Sequence, residues 1–274
     1  MLIDAVEDGF HALAAMGGRG LRIYLDRLYE MTRCEWLLRE QSSVFGFLWT
    51  LLQPLLMFVV LFGLFTKWMG SKTPNYGAFL LIGIMHYQFF QNTTNYALSA
   101  LTRRAALITS FSIPRDLVVL SAALSGLISH LVEAAIVVAF LLALGVAPRL
   151  SWMFFPLVLV LEAVLVIGVF APLLAVWGAK YPDFERLWSI VTFAGMFMTP
   201  VFYPLSVIEP AKRAILLFNP LTVVVEMSRA CLIGGALPPS LKFLGIAAFF
   251  STAAAASYLF FKSREKYLGD YVLE

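Results

Sequence analysis

Residues 184–229, FERLWSIVTFAGMFMTPVFYPLSVIEPAKRAILLFNPLTVVVEMSR, constrain the fold more than any other stretch of this chain. An apolar segment runs into Thr199-Pro200 and Tyr203-Pro204, a short amphipathic piece follows, and after Asn219-Pro220 a second apolar segment carries Glu226 and Arg229. Proline removes a backbone donor and disfavours helix in the residue before it, so prolines at this density break a helix twice within one or two spans. Broken backbone at membrane depth persists only where protein buries it or water reaches it. The region therefore predicts a span followed by a re-entrant or interfacial hairpin, with Phe197 and Tyr203 at the break placed on a candidate substrate path.

Composition agrees with a membrane setting. The chain is 61% hydrophobic and 14% charged, where soluble domains carry about 25% charged residues. Apolar stretches of roughly 20 residues, the length that crosses a bilayer, fall at 47–66, 77–99, 117–145, 152–178, 187–205 and 242–262. The expectation is an all-α polytopic membrane protein with six transmembrane helices (47–262), a cytoplasmic N-terminal segment (1–46), a short cytoplasmic tail (263–274) and a re-entrant outer hairpin between helices 5 and 6. Within the first segment, Leu21, Tyr24, Leu25, Leu28, Met31 and Thr32 recur at helical spacing, with Arg22, Asp26, Arg27, Glu30 and Arg33 elsewhere on the wheel. That pattern predicts an amphipathic helix able to lie in the membrane interface. With both termini assigned to the cytoplasm, 13 of the 20 Lys and Arg fall on that side, the bias that the positive-inside rule expects.

Other classes are disfavoured. Basic residues are spread through the loops rather than clustered, so nucleic acid is not an expected partner. Cys34 and Cys231 stand alone, which argues against a disulfide or a cysteine metal site. No metal-ligand cluster and no Ser/His pair occurs at motif spacing. Gly70-Ser71-Lys72-Thr73 lacks the Gly-Lys pair of a phosphate-binding loop. The chain is thus expected to hold no metal or cofactor, to be no enzyme, and to leave any ATP to another polypeptide.

Ionisable groups inside or beside the expected spans are functional candidates, because they are costly there. His130 and Glu133, three residues apart, share a helical face and could share a proton, as a proton-coupled carrier requires; either could equally pair with a neighbouring helix. Glu162 stands in the fourth span. Glu226 and Arg229 can pair along one helix, to brace the hairpin or to meet substrate. In the second span, His86 to Tyr96 alternates amides, hydroxyls and aromatics without a carboxylate or a lysine. Such a face cannot point cheaply at lipid. It either seals against other helices or lines a polar conduit, in which Tyr87, Phe90, Gln91 and Asn95 would meet sugar hydroxyls and ring faces. Ser121, Ser125 and Ser129 beside Ala122 and Gly126 form a small-residue face suited to close helix contact. The loop from Arg103 to Asp116 reads as a short helix ending near Ser112, its apolar residues Leu107, Ile108 and Phe111 covered by lipid headgroups or by a partner.

Four marks in order resemble the type-2 permeases of ABC exporters, in the branch that moves O-antigen, teichoic acid and capsule. They are Leu38 to Trp49 with Pro54, Phe111-Ser112-Ile113-Pro114-Arg115-Asp116, Tyr181 to Trp188 leading to Thr199–Pro204, and Asn219-Pro220-Leu221-Thr222 with Glu226 and Arg229. Glu40-Gln41 departs from the further basic and aromatic residues of many relatives. The resemblance implies a homodimeric channel in the cytoplasmic membrane paired with two copies of a separate ABC ATPase, moving a lipid-linked glycan outward. It assigns Arg39, Ser42 and Trp49 to the interface helix and gate, and Arg103, Arg104, Leu107, Phe111 and Arg115 to coupling with the ATPase. An exporter of a smaller amphiphile, such as a lipo-oligosaccharide or drug, is the alternative within the family; the proton-coupled carrier on His130 and Glu133 is the alternative outside it.

Overall fold

The computed structural model describes residues 18–41, 48–70, 73–111, 113–235 and 240–268, and no strand occurs among them. The helices are α1 (Gly18–Gln41), α2 (Leu48–Met69), α3 (Tyr76–Leu98), α4 (Ala100–Arg103), α5 (Ala105–Ser110) and α6 (Arg115–Ala143), then α7 (Phe155–Ala163) and α8 (Ala171–Lys180). They continue as α9 (Phe184–Met198), α10 (Pro210–Leu217), α11 (Pro220–Arg229) and α12 (Ser240–Glu265). A 3₁₀ turn at Leu150–Phe154 and a π-helical stretch at Val164–Phe170 join with α7 and α8 into one rod.

Among the described residues, four segments are long and apolar enough to cross a membrane: Leu52–Met69, Arg115–Ala143, Leu150–Lys180 and Leu241–Glu265. Pro210–Leu217 and Pro220–Gly234, bent by 103°, make a fifth if they are one broken span. The two remaining expected spans differ for physical reasons. Helix α3 is 23 residues long but polar in its second half, and its residues from Ala78 to Phe89 are buried on every side by the rest of the chain. That burial is what lets it carry His86, Gln88 and Thr93. Helix α9 has 15 residues, about 22 Å at 1.5 Å per residue, against a hydrocarbon core of roughly 30 Å.

Helix α3 is the hub, with α2, α6, α8, α9 and α11 around it. Small residues set the closest approaches. Ala97, Ala100, Ala122, Ala123, Ala171 and Ala175 meet in one buried cluster, where missing side-chain bulk lets helices touch along their backbones. Gly178 of α8 is the tightest case. A Cβ there would strike the Leu98 carbonyl oxygen and come within 2.9 Å of Leu98 Cδ2. The carbonyl belongs to the end of α3 and cannot rotate away. Gly178→Ala is expected to lower the thermal midpoint by several degrees, in line with overpacking costs of about 1–3 kcal/mol; an unchanged midpoint in a detergent thermal melt would show that α8 slides freely on α3.

The π-helical stretch also has a visible partner: Ser257 of α12 donates to the Val169 carbonyl at 2.7 Å. A widened turn leaves carbonyls off the regular ladder, and a hydroxyl from the next helix takes one up.

Helix α1 lies along α6, joined to it by polar links and by Met31, which packs against the buried cluster. Leu21 and Leu25 are exposed, while Thr32 and Glu35 are buried. Tyr24 donates to Asp116 at 3.2 Å, and Trp36 donates to Ser129 at 3.2 Å.

Candidate functional site

Between α1, α2, α3 and α6 opens a chamber of about 510 Å³. One wall is a stripe of Phe89, Asn92, Thr93 and Tyr96 on α3 continued by Ser99 and by Arg103 of α4, and the α6 wall is Gly126, Ser129, His130 and Glu133; Asn95, Arg39, Trp49, Gln53 and Glu185 complete it. Both stripes keep the three- and four-residue spacing that stacks side chains on one helical face. The wall offers amides, hydroxyls, aromatic faces and charges of both signs.

Tyr96 organises the end of the chamber where α3 runs into α4. The Arg103 guanidinium stacks over its ring at 3.6 Å and Arg39 lies 5.8 Å from the ring centre. The Tyr96 hydroxyl donates to Glu35 Oε2 at 2.8 Å, and Arg104 reaches Glu35 Oε1 at 2.6 Å. Arg103 also donates to the Ser99 hydroxyl and, at 2.7 Å, to the Tyr96 carbonyl. Burial lowers the Arg103 guanidinium from its usual value, opposed by Tyr96 and Glu35. The hydrogen bond to Glu35 raises Arg104. Arg39 donates to the Ser129 hydroxyl, fixing the C-terminal end of α1 on α6.

The expected path residues separate into groups. Asn95 lines the chamber. Tyr87 is buried and its hydroxyl donates to the Thr192 carbonyl of α9, while Phe90 packs edge-on to Phe170 at 5.0 Å. Gln91 is half-buried beside them, its carbonyl accepting from Asn95 at 2.7 Å. Phe197 is exposed, and Tyr203 donates to its carbonyl at 2.9 Å. Ser42 lies outside the described residues. Phe89, Asn92, Thr93, Tyr96 and Ser99 went unassigned as one face, although their spacing shows it.

The hairpin is stitched by two side chains. Asn219 caps α11, its Oδ1 accepting from Leu221 N at 3.0 Å and its Nδ2 donating to Thr199 Oγ1 at 2.9 Å. An Asn cap followed by proline is the favoured way to start a helix. Arg229 is buried and donates to the carbonyls of Phe79, Pro200 and Val201 at 3.0, 2.6 and 2.7 Å, and to Glu226 at 2.8 Å. Its Cζ also sits 3.4 Å from the Phe79 ring centre. The Glu226–Arg229 pair is present, and its arginine divides the rest of its donors between the Phe79 carbonyl of α3 and the Pro200 and Val201 carbonyls at the Thr199-Pro200 break.

His130 does not stand alone with Glu133. Its Nε2 lies 3.0 Å from Glu162 Oε2, and His86 Nδ1 lies 2.7 Å from the same oxygen. All three side chains are essentially inaccessible. Glu133 faces the chamber and an apolar groove beside α2. His86, read from sequence only as part of a polar stretch, is the partner that no spacing rule connects to the other two.

At the end of α6 nearest the short helices, Asp116 accepts from Tyr24 of α1 and, at 3.0 Å, from Tyr258 of α12, with Lys262 at 3.1 Å. Arg115 donates to the Glu265 carbonyl at 2.9 Å. Helices α4 and α5 precede this knot; Ile108 packs inward, while Phe111 is 62% exposed.

A helical membrane protein with a polar chamber lined by arginines, amides and hydroxyls belongs among transport proteins. Residues 27–233 match the family model described as ABC-2 type transporter, and the chain belongs to that family. It is 27% identical to the O-antigen export system permease protein RfbA of Myxococcus xanthus over 256 residues, 93% of this chain and 98% of that protein. It is 27% identical to the Klebsiella pneumoniae protein of the same name over 77% of this chain and 82% of that one. The polysialic acid transport protein KpsM of Escherichia coli is 24% identical over 81% and 86%.

Proposed function

We propose that this chain is the permease subunit of an ATP-driven exporter that moves a lipid-linked polysaccharide of the O-antigen or capsule kind across the cytoplasmic membrane. The observation that carries this is the near end-to-end similarity to an O-antigen export permease, and the chamber is its physical counterpart. Sugars need hydroxyl partners and flat apolar faces, which Asn92, Asn95, Thr93, Phe89 and Tyr96 offer together. The positive charge of Arg39 and Arg103 at one end suits a phosphate-bearing lipid headgroup.

The finer reading is a homodimer with two copies of a separate ATPase, six crossings per chain, α1 in the cytoplasmic interface, both termini inside, an outer hairpin of α10 and α11, and ATP bound by the partner subunit rather than by this chain. The exposed row Leu187, Ile190, Val191, Phe193 and Phe197 on α9 supports a second copy packing there. The proton-carrier alternative took His130 and Glu133 as its pair; His130 bonding to Glu162 weighs against it.

The test replaces Asn92 and Asn95 together with Leu. Neither side chain is wholly buried, so assembly is expected to persist. Export, followed as surface glycan in a strain lacking the native copy, is expected to fall at least about tenfold, since each lost hydrogen bond to substrate is worth roughly 0.5–1.5 kcal/mol. Normal surface glycan would remove the chamber from the path. ATP binding by the isolated chain, or export that collapses with the proton gradient while ATP persists, would remove the exporter reading itself.

A further inference from the structure

We infer that His86, His130 and Glu162 form a divalent transition-metal site, of the zinc class, that clamps α3, α6 and α7 together beside the chamber. Their ligand atoms lie within 4.8 Å of one another on three different helices. Two imidazoles and one carboxylate form a donor set that binds zinc, and imidazole also suits copper and nickel. Ligands at about 2.0–2.2 Å from a tetrahedral ion stand roughly 3.4 Å apart. The observed 2.7 and 3.0 Å separations need to open by about 0.7 and 0.4 Å.

The protein alone leaves this cluster incompletely satisfied. Glu162 Oε2 serves both rings, while Oε1 is buried without a hydrogen-bond partner, as are His86 Nε2 and His130 Nδ1. With neutral rings the trio holds one negative charge, and its ion-pair partners are both histidines. Burying a charge without a counter-charge is costly. A shared proton would cancel the charge yet leave Oε1 as it is. A metal ion bound by a bidentate carboxylate uses Oε1 as well, and a hydroxide on an open position completes neutrality. His130 lines the chamber, with Phe89 stacked on its ring at 4.1 Å, so an ion can enter from the polar side.

The far ring nitrogens have no acceptor to orient them. Loss of such outer partners weakens metal sites about 10–100-fold, so this site is expected to be exchangeable rather than as tight as a structural zinc site. The experiment uses the full chain in nanodiscs, stripped with a chelator, equilibrated with zinc alone and passed through gel filtration. Wild type is expected to retain about one zinc per chain, and Glu162→Gln and His130→Gln to retain at least tenfold less. Controls are His11→Gln and Cys34→Ser, which remove the other histidine and the exposed cysteine and are expected to behave as wild type. Cobalt should give a d–d absorption band in wild type that Glu162→Gln abolishes. Retention by wild type of less than about a tenth of a zinc per chain, or equal retention by Glu162→Gln, overturns the site and leaves a proton-sharing knot. If both variants aggregate, the wild-type zinc and cobalt measurements decide alone.

Discussion

Arg229→Ala is expected to release the hairpin and lower the thermal midpoint by about 6–20 °C. The side chain is buried and is the hydrogen-bond donor to the carbonyls of Phe79, Pro200 and Val201. Alanine takes the side-chain donor away from three carbonyls, and removing one member of a buried charged network costs about 3–5 kcal/mol. At roughly 2–4 °C per kcal/mol for a chain of this size, that is a loss visible in any detergent melt. Glu226 behaves differently. Its side chain is 34% exposed, so Glu226→Gln should cost less than about 1 kcal/mol. If Glu226 were the main partner, Glu226→Gln with Arg229→Gln would be milder than Arg229→Gln alone. The carbonyl partners predict that the double variant is no milder. Gly83→Ala reaches the same joint from α3, because its Cβ would lie 2.6 Å from Arg229 Nη2 and 2.7 Å from the Val201 oxygen. A wild-type melting curve for Arg229→Ala would show that the proline breaks hold the hairpin without it.

Local patterns were legible in the sequence, and cross-helix pairings were not. Asn219-Pro220 announced a helix start, Thr199-Pro200 a helix end, and Glu226 with Arg229 a same-face pair; each rests on residues close together in the chain. The chamber's two stripes were equally local, at Phe89, Asn92, Tyr96, Ser99 and Arg103 and at Gly126, Ser129, His130 and Glu133. The α3 stripe was missed because the polar stretch was read by residue type and not by wheel position, and the α6 stripe was read in two halves, Gly126 with Ser129 and His130 with Glu133. The His86–Glu162–His130 cluster lies beyond such reasoning. Its members are 44 and 32 residues apart, on helices whose relative rotation depends on packing of small residues such as Ala97, Ala122 and Ala175. Sequence spacing at 3.6 residues per turn says which residues share a face of one helix and nothing about which faces meet. Hydropathy was likewise a partial guide to span number: four long apolar segments occur among the described residues, and α3 is not one of them because its second half is polar and sheltered by neighbouring helices.

Phe111→Ala is expected to uncouple ATP hydrolysis from export with the permease folded and inserted. The loop divides its residues sharply. Arg103 is spent on Tyr96 and Ser99, Arg104 on Glu35, and Arg115 on the Glu265 carbonyl, so these three hold the loop to the body. Ile108 packs into the helix cluster, which fixes α5 as a rigid unit. Phe111 instead turns its ring outward at 62% exposure, just after α5 ends in extended backbone. A large aromatic in that position fits a pocket on a partner, and truncating such an anchor costs 2 kcal/mol or more, about 30-fold in affinity. Its mechanical connection is short: Pro114 caps α6, and Asp116 ties the same turn to α1 and α12 through Tyr24, Tyr258 and Lys262. A push on Phe111 is therefore delivered to α6, α1 and α12 at once, the first two of which wall the chamber. Export should drop at least about tenfold, hydrolysis by the partner should lose its dependence on substrate, and the thermal midpoint should stay within about 1–2 °C of wild type, because an exposed ring contributes little to the fold. Thr109→Cys, exposed on the same loop, should crosslink to the ATPase. If Thr109→Cys reacts with lipid-phase probes alone and Phe111→Ala exports normally, Phe111 is an anchor in the headgroup layer and the force enters the permease elsewhere.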